Sequence, residues 1–217
     1  MTHKAHDIEE EFHSRKSSSF HALIALITAI SLFFLSIQAY FYLIHPEPVN
    51  IPGLEEVGGI LGTSLSQPFS AHRSGEVKRV IEEVRNDIKQ VANFIAAKSC
   101  RKADRVCQSK AIFYFVRDEI RYVPDANFHD RLENPLTVLK TGGADCEDMA
   151  VLLVALEQAI GNKVRLVFVP GHAYVQVSIP DYRGEKWLNL EATCKDCQFG
   201  ELPNNVAIQK KDYTEIQ

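Results

Sequence analysis

The sequence predicts an α+β domain, its helices packed on an antiparallel sheet, behind one N-terminal helix suited to crossing a membrane. Three observations carry that prediction. Residues 20–44 form an apolar run that contains no Asp, Glu, Lys or Arg. From Glu76 to Ile160 apolar residues recur at helical spacing, and beyond Ile160 the spacing shortens to the alternation of strands. Helices first and strands afterwards in one chain point to a segregated α+β arrangement.

The apolar run reads "FHALIALITAISLFFLSIQAYFYLI". A bilayer core needs about 20 mainly apolar residues in a helix, and this run supplies them. A soluble core helix seldom stays apolar on every face for so long. A signal peptide has a shorter apolar region, roughly 7–15 residues, ending in small residues; this one ends in "YFYLIHPEP", with Tyr40 and Tyr42 suited to an interface. The expectation is an uncleaved single-pass anchor in contact with lipid. Arg15 and Lys16 precede it closely, and the first Lys or Arg after it is Arg73. Positive charge stays inside, which puts residues 1–19 in the cytoplasm as a tail and the large domain on the extracytoplasmic side of the cell membrane; Glu9 to Glu11 contribute little to that rule.

Residues 45–75 carry Pro46, Pro48, Pro52, Gly58, Gly59, Gly62 and Pro68, a density that reads as a linker or stalk. Within it Leu54, Val57, Ile60 and Leu61 suggest a short helix lying over the domain. The domain itself spans 76–217. Val77, Val80, Ile81, Val84, Ile88, Val91 and Ile95 predict one amphipathic helix, and a second runs over 104–120. A third starts at "GGADC" and ends at Gly161. "KVRLVFV", "AYVQVSI" and "KWLNLEA" are the strands, separated by turns at Pro170–Gly171 and 180–184. A net charge of −4 argues against a nucleic-acid partner.

The chemistry centres on "GGADCEDMA", residues 142–150. Cys146 stands at a helix start, where unpaired N–H groups and the helix dipole favour a thiolate over a thiol. Asp145 and Asp148 read as helix caps, and Glu147 as a favourable charge beside them. His172 opens the second strand in "VPGHAYVQV", and Glu191 closes the third in "KWLNLEATC". Each alone has an ordinary structural reading: an inert thiol, a turn histidine, a solvated strand end. Together they supply a nucleophile, a base and an orienting carboxylate on three consecutive elements.

That ordered combination resembles the catalytic core of the transglutaminase-like superfamily, cysteine enzymes with a papain-like arrangement. The resemblance covers residues 109–193, through "IFYFVRDEIRYVPD", the cysteine segment, "GHAYVQV" and "WLNLEAT". It implies catalytic roles for Cys146, His172 and Glu191 as nucleophile, base and orienter. The family's third residue is usually aspartate; here it is Glu191, with Asn189 as the substitute. The backbone N–H of Cys146 is the natural first oxyanion donor. The implied activity is cleavage of an amide or peptide through a thioester, as a peptidase or amidase, or acyl transfer to an amine. Its substrate would be a peptide or protein. No cofactor is implied, and no D-x-D-x-D-G loop signals calcium. The rival is a catalytically silent peptide-binding module of a membrane complex, which the Glu191 departure favours and the intact Cys–His pair opposes.

Four cysteines remain. Disulfides Cys100–Cys107 and Cys194–Cys197 are favoured by the extracytoplasmic topology. The alternative is one structural zinc held by the same four, since C-x2-C is an ordinary zinc half-site.

Overall fold

The structure, a computed structural model, describes residues 3–44, 47–61, 77–124, 132–180, 182 and 186–216, and the side chains of these except in 3–19 and 41–44. The chain divides into two compact units, Met1–His45 and Pro46–Gln217. The first is a single helix, α1 (His3–Ile44). Its Phe20–Tyr40 stretch buries none of its apolar surface in protein, and is long and apolar enough to cross a membrane. Tyr40 is exposed; the side chain of Tyr42 lies outside the described residues.

The second unit starts earlier than a free linker would allow. Helix α2 (Leu54–Leu61) buries Val57 and Leu61 in the core, and Leu54 N donates to Glu119 Oε2 at 2.9 Å. Val49 N donates to Ser99 O at 3.0 Å. The short helix expected over the domain is therefore present, and 47–61 are packed. The remainder of the expected linker, with Gly62, Pro68 and Arg73, lies outside the described residues.

The long amphipathic helix expected next is two helices, α3 (Val77–Glu83) and α4 (Arg85–Ser99). They part at Val84, whose backbone (φ −114°, ψ 10°) leaves helical geometry while its side chain stays buried. The apolar stripe crosses the break without interruption, which is why periodicity could not reveal it. Helix α5 (Arg105–Glu119) is capped by Asp104, whose side chain accepts from Cys107 N at 2.8 Å. A disulfide joins Cys100 to Cys107, fastening the end of α4 to the start of α5. After α5 come β1 (Arg121–Tyr122), α6 (Pro135–Thr141) and β2 (Gly143–Ala144), with β2 parallel to β1.

Helix α7 (Cys146–Ala159) follows, and Gly161, at φ 87°, turns the chain into the sheet. Strands β3 (Lys163–Val169) and β4 (His172–Ser178) form a hairpin in the register Val169↔His172. Strand β5 (Leu188–Leu190) pairs with β4. After α8 (Asn204–Ala207), strand β6 (Asp212–Ile216) returns to the free side of β3. The order β5-β4-β3-β6 is antiparallel throughout. Met149, Val151, Leu152, Leu153 and Leu156 of α7 are fully buried with Leu166, Val175 and Leu190 of the sheet and with Val91, Ile112 and Phe115 of the helices. A smaller cluster of Val167, Val169, Tyr174 and Val206 packs separately.

Glu157 places a carboxyl inside this core. Glu157 of α7 is fully buried, accepting from Ser109 Oγ and from Asn162 Nδ2, each at 2.7 Å. Burial raises its pKa from 4.5 to about 7, against the lowering effect of the two hydrogen bonds. Because the folded state holds this proton more tightly, its contribution to stability is present below pH 4.5 and lost as pH rises through about 7. Thermal melts of the full chain in neutral detergent should show that decline, and Glu157→Gln, which keeps the shape and stays neutral, should flatten it. An unchanged pH slope in the variant would refute the assignment.

Candidate active site

Cys146 is the first residue of α7, as its position after Asp145 predicts. Asp145 is the N-cap: its Oδ1 accepts from Asp148 N at 2.9 Å, and its carbonyl accepts from Met149 N at 3.1 Å. Asp148 is different from the expected cap. Its side chain is buried and accepts from Glu133 N at 2.7 Å, tying the chain ahead of α6 to the nucleophile's helix. The two preceding glycines are required by the protein's own packing. Gly142, at φ +67°, closes α6, and a Cβ there would meet Leu54 Cδ2 at 2.8 Å; one on Gly143 would meet Val123 Cγ2 at 3.1 Å. Side chains at these points would push β1 and α2 away from the loop that delivers Cys146.

His172 opens β4, half-buried, with Nε2 2.6 Å from Glu191 Oε2. The Cys146 side chain lies near enough to raise its pKa. Glu191 is 1% exposed and follows directly after β5, which ends at Leu190. Its second oxygen is held too: Oε1 accepts from Thr193 N at 3.1 Å and from Thr193 Oγ1 at 2.6 Å. A buried carboxylate with both oxygens engaged has one orientation, and that orientation faces the imidazole. Burial alone would lower the His172 pKa. The interactions with Cys146 and Glu191, with the charges of both, outweigh it and lift the group from 6.5 to about 10.

Asn189 is engaged across the sheet. Its Oδ1 accepts from Gln176 Nε2 at 2.8 Å, and Gln176 Oε1 in turn accepts from Arg165 Nε at 2.8 Å. That engagement places it in a cross-strand network. Thr193, by contrast, is a site residue that sequence reasoning passed over. Its signal was an ordinary one, a hydroxyl two residues beyond an acid, the spacing of a local side-chain turn.

The loop that holds Glu191 and Thr193 is anchored at several points. Cys194 N donates to the Glu191 carbonyl at 3.3 Å, and a disulfide closes Cys194 on Cys197. Lys195 Nζ donates to the carbonyls of Arg117 and Ile120 at the end of α5, while Arg117 Nη1 donates to Cys197 O at 2.7 Å. The four cysteines other than Cys146 are thus paired as Cys100–Cys107 and Cys194–Cys197, leaving no thiolates among them for the zinc alternative. Among the described residues no group of three or more His, Cys, Asp or Glu could hold a metal ion. Cys146 is the free cysteine. Beside it Tyr122 of β1 is half-exposed, its phenol pKa raised by burial and then by the charges of Cys146 and Asp145. Geometrically, a free thiol at a helix start can share a proton with an imidazole whose other nitrogen is fixed by a carboxylate.

His172 also makes a pH prediction. With its folded pKa raised from 6.5 to about 10, its stabilising contribution is present below pH 6.5 and lost as pH rises through about 10. Melting temperature should fall across that window, and His172→Gln should remove the fall. Thr193→Val takes one donor from a buried carboxylate, a loss of about 1–3 kcal/mol. It should also narrow the His172 window from above; a window unmoved in this variant would count against the positioning role of Thr193.

Residues 92–192 match the family described as the transglutaminase-like superfamily (Transglut_core). Among solved structures, a proposed protease from Parabacteroides distasonis is 15% identical over 58% of this chain and 27% of its own, with a TM-score of 0.41. Legionella pneumophila LapG is 15% identical over 59% of this chain and 77% of its own, with a TM-score of 0.39. Its EGTA-treated form is 15% identical over 64% and 80%, with a TM-score of 0.42. Similarity at this level bears on neither activity nor substrate, and this chain spans only about a quarter of the Parabacteroides protein. A search of curated proteins gives no match. The family match over 92–192 and the architecture agree: mixed helices and an antiparallel sheet in a transglutaminase-like fold.

Proposed function

We propose that this protein is a membrane-anchored cysteine hydrolase, a peptidase or amidase, working through Cys146, His172 and Glu191. The observation that carries the reading is the 2.6 Å contact from His172 Nε2 to a buried Glu191, on an imidazole whose pKa the nearby Cys146 also raises. The thiolate attacks the substrate carbonyl carbon, forming a C–S bond and an oxyanion that the Cys146 N–H can receive. His172 gives its proton to the departing nitrogen as the C–N bond breaks, leaving a thioester. Water, deprotonated by His172, then attacks the same carbon; the C–S bond breaks, and the acid leaves. Glu191 keeps the imidazole oriented and steadies its charged form without itself taking the proton. An amine in place of water would make the same site an acyltransferase.

The Phe20–Tyr40 helix serves as the anchor in this reading, with the N-terminus in the cytoplasm and residues 46–217 outside. Two disulfides in the domain support an oxidising location. Peptide or protein substrates fit an open, half-exposed aromatic such as Tyr122 next to the thiol.

The test is alkylation of the full chain by iodoacetamide across pH, with the site mapped by mass spectrometry. Cys146 should react well below the pH at which an ordinary thiol, pKa about 8.5, does so. His172→Ala should slow reaction at pH 6 by at least about tenfold, and Glu191→Ala by a smaller factor, as expected when a base loses its orienter. An ordinary thiol profile indifferent to both substitutions would sink the enzyme and leave the peptide-binding module.

A further inference from the structure

A second cavity lies at the opposite end of α7 from Cys146. Fourteen residues make up that helix, so its ends are about 20 Å apart at a rise of 1.5 Å per residue. The cavity has a volume of about 820 Å³, inside the range of roughly 300–1,000 Å³ typical of small-molecule sites. Ile81, Ile88, Ala155, Val164 and Ile216 give it apolar surface.

The charge around that surface is one-sided. Five cations, Lys78, Arg85, Lys89, Lys163 and Lys186, line the cleft against two carboxylates, Glu82 and Glu215, in a chain whose net charge is −4. Arg85 is already paired with Glu82. The four lysines have no carboxylate partner among the described residues. Lysines gathered around a concave, partly apolar wall raise the local concentration of anions. One buried acceptor in the wall also lacks a partner: Asn162 gives its Nδ2 hydrogen to Glu157, and its Oδ1 has none. A buried amide oxygen in that state is costly unless something donates to it.

We propose that this cleft binds an anionic amphiphile. Its phosphate or carboxylate head would sit among Lys78, Lys89, Lys163 and Lys186, its hydrocarbon against Ile81 and Ile88, and a head-group hydroxyl or amide N–H would reach Asn162 Oδ1. A bare inorganic anion would leave the apolar wall uncovered, and a neutral lipid would leave the lysines unmatched. The site is independent of the thiol chemistry and of the hydrolase reading.

The chain's one tryptophan, Trp187, lines the same cleft and is stacked on Arg165 at 4.2 Å, so its fluorescence reports occupancy. The experiment places the full chain in phosphatidylcholine nanodiscs. One arm adds 1-lauroyl lysophosphatidate from solution; the other replaces part of the bilayer with phosphatidylglycerol. A saturable change in Trp187 emission in the first arm alone assigns a soluble ligand, and one in the second assigns a bilayer lipid. Lysophosphatidylcholine and glycerol 3-phosphate, which lack the charge and the chain respectively, should bind at least about tenfold more weakly. Lys163→Gln/Lys186→Gln, and separately Lys78→Gln/Lys89→Gln, should weaken binding similarly while Cys146 alkylation stays as in the parent chain. No saturable change in either arm overturns the proposal. So does equal binding of either control ligand, or parent-like affinity in both lysine variants.

Discussion

The structure depends on the burial of α7 between helices and sheet. Every apolar residue from Met149 to Leu156 is closed off from water, so the helix has no face left with which to slide or rotate. Close packing of this kind resists displacement in a way that an exposed amphipathic helix does not. The consequence is positional. Cys146 inherits the rigidity of the core through one covalent step, and the side chain that makes the helix begin where it does is Asp145. The glycines before it complete the arrangement by letting β1 and α2 approach the loop closely.

The same helix sets two different electrostatic environments at its ends. Its N-terminal end offers unpaired N–H groups and a positive dipole, suited to an anionic sulfur. Near its other end Glu157 is held in a low-dielectric interior, where neutralisation at moderate pH costs less than keeping a charge. Ser109 and Asn162 lower that cost without cancelling it, since burial remains the larger effect. Two buried carboxyls thus have different partners. Glu157 has only neutral hydrogen-bond donors, whereas Glu191 has an imidazole that can share its charge.

Much of this was legible in the chain. Elements whose pattern was strong and local emerged within a few residues of their expected bounds, α5, α7, β3 and β4 among them. The three residues of the candidate site stand together, because each was marked by an element boundary. What escaped was of two kinds. Helix α6 is only seven residues long and begins at Asn-Pro, and β6 has four exposed residues in five, so neither offered a periodic signal. The break at Val84 and the cross-link from Asp148 to Glu133 depend on tertiary contacts that no local window contains. The engagement of Asn189 has a related cause: its partner, Gln176, lies thirteen residues away on the neighbouring strand.

Glu191 stands where the transglutaminase-like pattern usually has aspartate, and the structure gives a physical account of how the longer side chain is accommodated. A longer side chain brings one more rotatable bond, and with it more ways to miss the imidazole. Two donors from Thr193 fix one carboxylate oxygen, and the residue sits just past the strand rather than on it, so backbone placement absorbs the extra methylene. The turn that carries Thr193 is fastened in its own right by the Cys194–Cys197 disulfide and by Lys195 and Arg117 against the end of α5. Rigidity that an aspartate would gain from its short reach is here supplied by the surrounding loop.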